Sequence, residues 1–234
     1  GHRGGSDAVF LAAAVPVRAG ETVLDAGTGA GTAGLCLLAR VPDIDVAGVE
    51  IDKSQCALAR KNAERNGFSG RFSVIEANLT APGKVLGTAG LVREGYDQVM
   101  ANPPFYGKGS VRVAADASRA SAHVMPDGEL ERWVRFLTTM AGPRATLTLI
   151  HRADSLCPLL ELLKDRFGGL TIYPLFPRRD APAARVIVQG RKNSRASTRL
   201  LPGLVLHQEG GAYTAEAEAV LRNGAALNLA PPGS

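Results

Sequence analysis

The sequence has little with which to cross-link itself, hold a metal or enter a membrane. Its three cysteines, Cys36, Cys56 and Cys157, form no CxxC pair, and its four histidines, at 2, 123, 151 and 207, are equally scattered. This spacing argues against a disulfide framework and offers no pattern for a metal or a Cys/His nucleophile pair, so no metal is expected. No apolar run approaches the ~20 residues needed to cross a bilayer, and residues 1–6 lack the charged and apolar regions of an export signal. No membrane association is expected, and the expected compartment is the cytoplasm. The chain also lacks an initiator Met and opens abruptly on GHRGGSDAVFLAA, so an N-terminal segment is expected to be missing.

What is present suffices for one sizeable core. With 234 residues, 45% of them hydrophobic, a single domain over residues 1–234 is expected. The formal net charge is +5, and the excess is unevenly spread. Between positions 178 and 199 stand seven basic residues, Arg178, Arg179, Arg185, Arg191, Lys192, Arg195 and Arg199, against one acid, Asp180. A field of that sign attracts phosphate; the alternative is a solvated loop pair that serves solubility.

Apolar runs and breakers alternate along the chain. A helix near 7–14, capped by Ser6, precedes strands near 22–25, 45–50, 72–76, 96–102 and 145–150. Helices are expected between them at 31–40, 54–66, 127–140 and 155–167, with Ser54 and Ser155 as caps and Gly67 and Gly168 as stops. Such βαβ repetition predicts an α/β fold, a mostly parallel sheet with helices on both faces and ligands beyond the carboxyl ends of the strands. The last two runs, 170–173 and 185–190, are joined by a segment too short for a crossover helix, so they read as an antiparallel hairpin closing the sheet. Only the terminal APPGS reads as disordered.

The first chemical signal is TVLDAGTGAGTAG at 22–34. A strand-like run ends in Asp25 and turns into a helix through Gly27, Gly29 and Gly31, where missing side chains let a ligand approach the backbone. Gly29-x-Gly31-x-x-Gly34 also satisfies the dinucleotide fingerprint, with Glu50 about 20 residues further on, where a carboxylate suits the two hydroxyls of a ribose. Both cofactor classes contain a ribose, so the turn alone leaves them open.

The second signal is Asn102-Pro103-Pro104-Phe105, followed by Tyr106, at the end of the fourth strand. Asn102 offers a side-chain carbonyl, and Pro103 retains a backbone carbonyl while lacking an N–H, so two acceptors can converge on one amino group. The lone pair of an exocyclic amino nitrogen is conjugated with its ring. Accepting both its hydrogens favours a pyramidal nitrogen whose lone pair can attack, and the aromatic next in line gives a planar group a stacking surface.

NPPF resembles the (Asn/Asp/Ser)-Pro-Pro-(Tyr/Phe/Trp) signature of amino methyltransferases, and Asp25-x-Gly27-x-Gly29-x-Gly31 followed by an acid resembles the cofactor motifs of class I methyltransferases. A dehydrogenase has no comparable use for NPPF. The resemblance implies a Rossmann-like, seven-stranded fold and S-adenosylmethionine as cofactor. Asp25 and Gly27 would lie near its methionine end, Glu50 would hold the ribose and Asn78 would meet the adenine, with Ala26, Thr28, Gly29, Gly31, Ile51, Leu79 and Asn102 also among the cofactor-binding residues. An Asp is commoner where Asn78 stands, but an amide oxygen can still accept from an adenine amino group.

More of the chain is similar to the bacterial tRNA adenine-N6 methyltransferases that act beside the anticodon of valine tRNA. The likeness includes GSDAVFLAA at 5–13, RASAH at 119–123, RVIVQGRK at 185–192 and YTAEAEAVLR at 213–222. It implies tRNA as partner and Phe105 or Tyr106 stacked on the target base. Under it, Arg178, Arg179, Arg191, Lys192 and Arg195 would contact RNA phosphates. Residues 107–126 would cover the site. Protein glutamine in a release factor and a guanine N2 of ribosomal RNA are the alternative substrates.

Overall fold

The short apolar runs become the parallel half of one continuous sheet. The structure, a computed structural model, describes residues 4–104 and 128–229. Strands β1 (Thr22–Ala26), β2 (Asp45–Glu50), β3 (Phe72–Glu76), β4 (Tyr96–Ala101) and β5 (Ala141–Arg152) lie parallel. Strand β7 (Arg185–Lys192) runs antiparallel to both β5 and β6 (Phe167–Phe176), which is the expected closing hairpin. The order is β3-β2-β1-β4-β5-β7-β6, continued by a short strand beside β6. Two strands of two residues each, β8 (Arg199–Leu200) and β9 (Leu204–Val205), were not anticipated; both add in parallel to β6.

Neighbouring residues on a strand face opposite sides, and both sides are apolar. Val23, Met100, Ile150 and Ile187 pack on one face against α1 (Gly4–Ala14), α2 (Thr32–Arg40), α3 (Lys53–Arg65) and α7 (Ala215–Asn223). Leu24, Val99, Leu149 and Val188 pack on the other, against α5 (Glu129–Met140) and α6 (Leu156–Leu163). Each fully buried Leu or Ile contributes roughly 1.5–3 kcal/mol on leaving water. A short helix, α4 (Gly83–Thr88), lies between β3 and β4.

Several boundaries differ from the sequence reading. Helix α1 starts at Gly4, so Ser6 lies inside it instead of capping it. Asp52, not Ser54, caps α3; its carboxylate accepts from the N–H groups of Ser54 and Gln55. The helix expected to reach Phe167 stops at Leu163, because Phe167 is buried in β6. Gly168 is a strand residue, not a helix stop, and a Cβ there would lie 2.0 Å from the Ser194 carbonyl oxygen. Gly67, at φ 72°, does follow the end of α3 as expected.

Candidate active site

The chain reverses its direction of travel across the sheet between β1 and β4. From β1 it moves outward through β2 and β3, then returns to place β4 on the opposite side of β1. Such a switch point opens a crevice beyond the carboxyl ends of the two strands. Ala26 of β1 pairs with Ala101 of β4, about 4.8 Å apart across the ladder, so Gly27 and Asn102 leave the sheet from neighbouring strand ends. The two sequence signals, 75 residues apart, therefore meet in one crevice.

Gly27, Gly29 and Gly31 all have positive φ, at 68°, 56° and 86°. Two of them are also packing residues. A Cβ on Gly27 would lie 2.4 Å from the Trp133 ring of α5, and one on Gly31 would lie 2.7 Å from Phe72. A Cβ on Gly29 would meet nothing within 4 Å, so this glycine borders open space. The turn is anchored to β2 through Gly27 and Thr28, whose N–H groups donate to the Val49 carbonyl at 2.8 and 3.0 Å. Trp133 is a supporting residue that motif reading missed; the one signal for it was that it is the only tryptophan of the chain.

Asp25 lies under this turn and is buried. The Thr28 hydroxyl donates to its carboxylate at 2.6 Å. Burial pushes the Asp25 carboxyl up to about 7, and nearby Glu50 adds to the rise, against the hydrogen bonds from Thr28 and the Gly34 N–H. A ligand ammonium would oppose that rise by favouring the ionised form, so a buried acid here fits a cationic amino-acid group.

Glu50 ends β2 across the turn. Its carboxylate accepts from the N–H groups of Gly29 at 2.9 Å, Ile51 at 2.8 Å and Asp52 at 3.0 Å. These bonds fix the carboxylate at the crevice and tie the glycine turn to the strand end. Ile51 beside it is 63% exposed, an apolar surface next to the acid. Asn78 follows β3, and its side-chain carbonyl accepts from the Thr80 N–H and hydroxyl, both at 2.9 Å. That local turn leaves the amide NH2 as the more available group, which favours donation over the acceptance foreseen from sequence. Leu79 is half-buried against the core beneath.

Asn102 carries the least expected feature. Its Oδ1 is sealed from solvent and has no hydrogen-bond partner among the described residues. An unmet buried carbonyl costs ~1–3 kcal/mol, and such groups persist where something else uses them. Pro103 beside it is buried and Pro104 is half-buried. Phe105, Tyr106 and the cover expected at 107–126 lie outside the described residues.

The basic run does not form one surface. Arg185 stands at the carboxyl end of the sheet, opposite Arg152 of β5, and Arg178 and Arg179 follow β6 at the same end. Arg191 and Lys192 lie at the other end, about 23 Å away along β7. Lys192 donates to Glu94 at 2.8 Å and to the carbonyls of Thr138 and Ala141 at 3.0 and 2.7 Å, and only 11% of its side chain is exposed. Its ammonium serves the fold and is not presented to a phosphate. Arg195 follows at the same far end, where Asn193 donates to the Pro143 carbonyl. Among the described residues no three or more His, Cys, Asp or Glu cluster as metal ligands, and no helix is long and apolar enough to cross a membrane.

Comparison with known proteins supplies the chemical context. Residues 5–135 match the methyltransferase small domain family. A tRNA1(Val) (adenine(37)-N6)-methyltransferase of Porphyromonas gingivalis is 30% identical over 82% of this chain and 75% of its own length. One of the same name from Trichodesmium erythraeum is 30% identical over 68% of this chain, which spans 65% of that relative's length, just under two thirds. A solved structure from Agrobacterium tumefaciens, described as a predicted O-methyltransferase, superposes with a TM-score of 0.79 at 29% identity, covering 94% of this chain and 98% of the other.

Proposed function

We propose, from the premise that the chain belongs to the methyltransferase small domain family and within it to the tRNA1(Val) (adenine(37)-N6)-methyltransferases, that it methylates the exocyclic amino group of an adenine in tRNA, beside the anticodon of valine tRNA. The observation that carries this reading is the buried Asn102 Oδ1, without a partner among the described residues, at the β1/β4 switch point next to the glycine turn. S-adenosylmethionine supplies, when bound, an electrophilic methyl group on a sulfonium. The residues that would hold it are Asp25 and the turn from Ala26 to Gly31 at the methionine end, Glu50 and Ile51 at the ribose, and Asn78 and Leu79 at the adenine. The Asn102 side chain and the Pro103 carbonyl accept the two hydrogens of the target amino group. The nitrogen thereby gains pyramidal character and an available lone pair, and no strong base is needed before transfer. Phe105 or Tyr106 stacks on the flat face of the base.

The whole chain acts in this reading as one catalytic domain, a proposal supported by the continuous sheet. Its setting is the cytoplasm, where tRNA is found.

The test is product identification. The chain is incubated with methyl-labelled S-adenosylmethionine and, separately, with unmodified tRNA, ribosomal RNA and a protein extract, and the digested products are identified. N6-methyladenine from tRNA is expected. Methylglutamine, N2-methylguanine or a methylated hydroxyl in place of N6-methyladenine overturns the assignment.

A further inference from the structure

A second cleft lies on the same edge of the sheet as Asn102, three strands away. It encloses about 1440 Å³ between the loop after β6 and the segment that joins β9 to α7. Three strand spacings put its near wall, at Tyr173 of β6, roughly 14 Å from β4. That separation suits neighbouring nucleotides of one RNA strand better than the target base itself.

Its walls combine three kinds of group. Arg178 and Arg179 are exposed, and neither forms an ion pair among the described residues. His207 lines the cleft with the Tyr213 ring stacked on it, centroids 4.6 Å apart and planes 24° from parallel. Asp180, Glu209 and Glu216 add carboxylates. The ring pair is held by the turn that carries it. His207 and Tyr213 face each other in an antiparallel bridge, and the Gln208 N–H donates to the Ala212 carbonyl at 2.8 Å across the turn. His207 Nδ1 lies 3.0 Å from the Gly211 carbonyl, which can only accept, so Nδ1 carries the proton and Nε2, without a partner among the described residues, can accept from a ligand. The His207 N–H also donates to Pro177, which joins the aromatic wall to the arginine wall.

We propose that this cleft is a subsite for unstacked RNA nucleotides flanking the target base, with phosphate on Arg178 and Arg179 and a base stacked on His207 backed by Tyr213. The inference rests on the RNA reading given above. Stacking rings beside cations are what single-stranded nucleic acid requires. The carboxylates make a purely phosphate-binding role unfavourable. They suit base edges that donate from amino groups, so the mixed charge fits a nucleotide better than a bare backbone.

The experiment measures binding of the full chain to a tRNA transcript as a function of salt, together with kcat and KM for methylation. For Arg178→Ala/Arg179→Ala, the slope of log affinity against log salt should fall by about two, about one per cation, with KM raised and kcat near wild type. His207→Ala should weaken RNA binding at least ~5-fold with the cofactor affinity unchanged. Arg18→Ala/Arg144→Ala, exposed at the other end of the sheet, should leave both measurements unchanged. If a chain whose wild type methylates tRNA loses no more from the Arg178/Arg179 change than from the Arg18/Arg144 change, the cleft is not the subsite. That result leaves the assigned reaction standing. A wild-type chain that neither binds nor methylates RNA overturns both.

Discussion

The two ends of the sheet use polar residues in opposite ways. At the amino end, Lys192 reaches Glu94 and two backbone carbonyls, and Asp97 accepts from the N–H and hydroxyl of Thr22 at 2.9 and 3.0 Å. The charges of Lys192 and Asp97 are consumed there by folding. At the carboxyl end, Asp25 is buried with its carboxyl raised to about 7, and the Asn102 carbonyl is sealed from solvent without a partner among the described residues. Those arrangements destabilise the fold locally. One group at the amino end resembles Asn102: the buried Oε1 of Gln98 also has no partner among the described residues. The Gln98 amide nitrogen, however, is held by Glu21 at 2.9 Å, and no glycine turn adjoins it. The difference teaches that an unmet polar atom marks a site only where the backbone around it is also open to a ligand.

The largest effect should come from breaking the carboxyl end. Asn102→Ala removes the acceptor and the penalty of burying it, so turnover should fall by ~10²–10³ while cofactor affinity, measured by calorimetry, stays within about two-fold. A parallel loss of cofactor binding would make Asn102 part of the cofactor pocket only.

Asp25→Asn tests the same end through pH. The folded Asp25 carboxyl, at about 7, lies above its ordinary value of 3.8. The folded state therefore holds a proton that the unfolded state has released, and stability is lost as pH rises from about 4 to 7. Removing the charge should raise the melting temperature of the ligand-free protein at pH 8, by up to ~4 kcal/mol in stability, and change little near pH 4. The same variant should lose cofactor affinity. Wild-type affinity should tighten from pH 6 to pH 8 as Asp25 ionises; a flat profile would show that Asp25 does not meet a cationic group.

The smallest effect should come from the amino end. Lys192→Met strands the Thr138 and Ala141 carbonyls and should cost ~1–3 kcal/mol in chemical denaturation. RNA affinity at low temperature should be unchanged. A large loss of RNA binding by the folded variant would erase the contrast between the two ends.

Much of this arrangement was legible beforehand. The alternation of β-rich runs gave β2 and β3 to the residue and β1 and β4 to within one, because parallel core strands are short apolar segments bounded by breakers. The closing hairpin was legible from a connection too short for a helix. Long-range contacts were not. Nothing local told that Phe167 would enter the sheet instead of ending a helix, or that Gly168 was required by the nearby Ser194 backbone. The basic run looked continuous because sequence hides the length of a strand, which carries Arg185 and Lys192 to opposite ends. The candidate site divides likewise. Gly27 was read as making room for a ligand, yet its missing Cβ also makes room for Trp133, 106 residues along the chain. Asp25 was read as a ligand partner, but its raised carboxyl depends on burial, which no motif records.

The most direct test is a crystal structure of the chain with S-adenosylhomocysteine and an adenosine-containing RNA fragment. The Asn102 Oδ1 should lie about 3 Å from the exocyclic nitrogen of an adenine, with the cofactor along Asp25, the glycine turn and Glu50. An adenine amino group bound away from Asn102, with Oδ1 turned to a protein donor, would contradict the account.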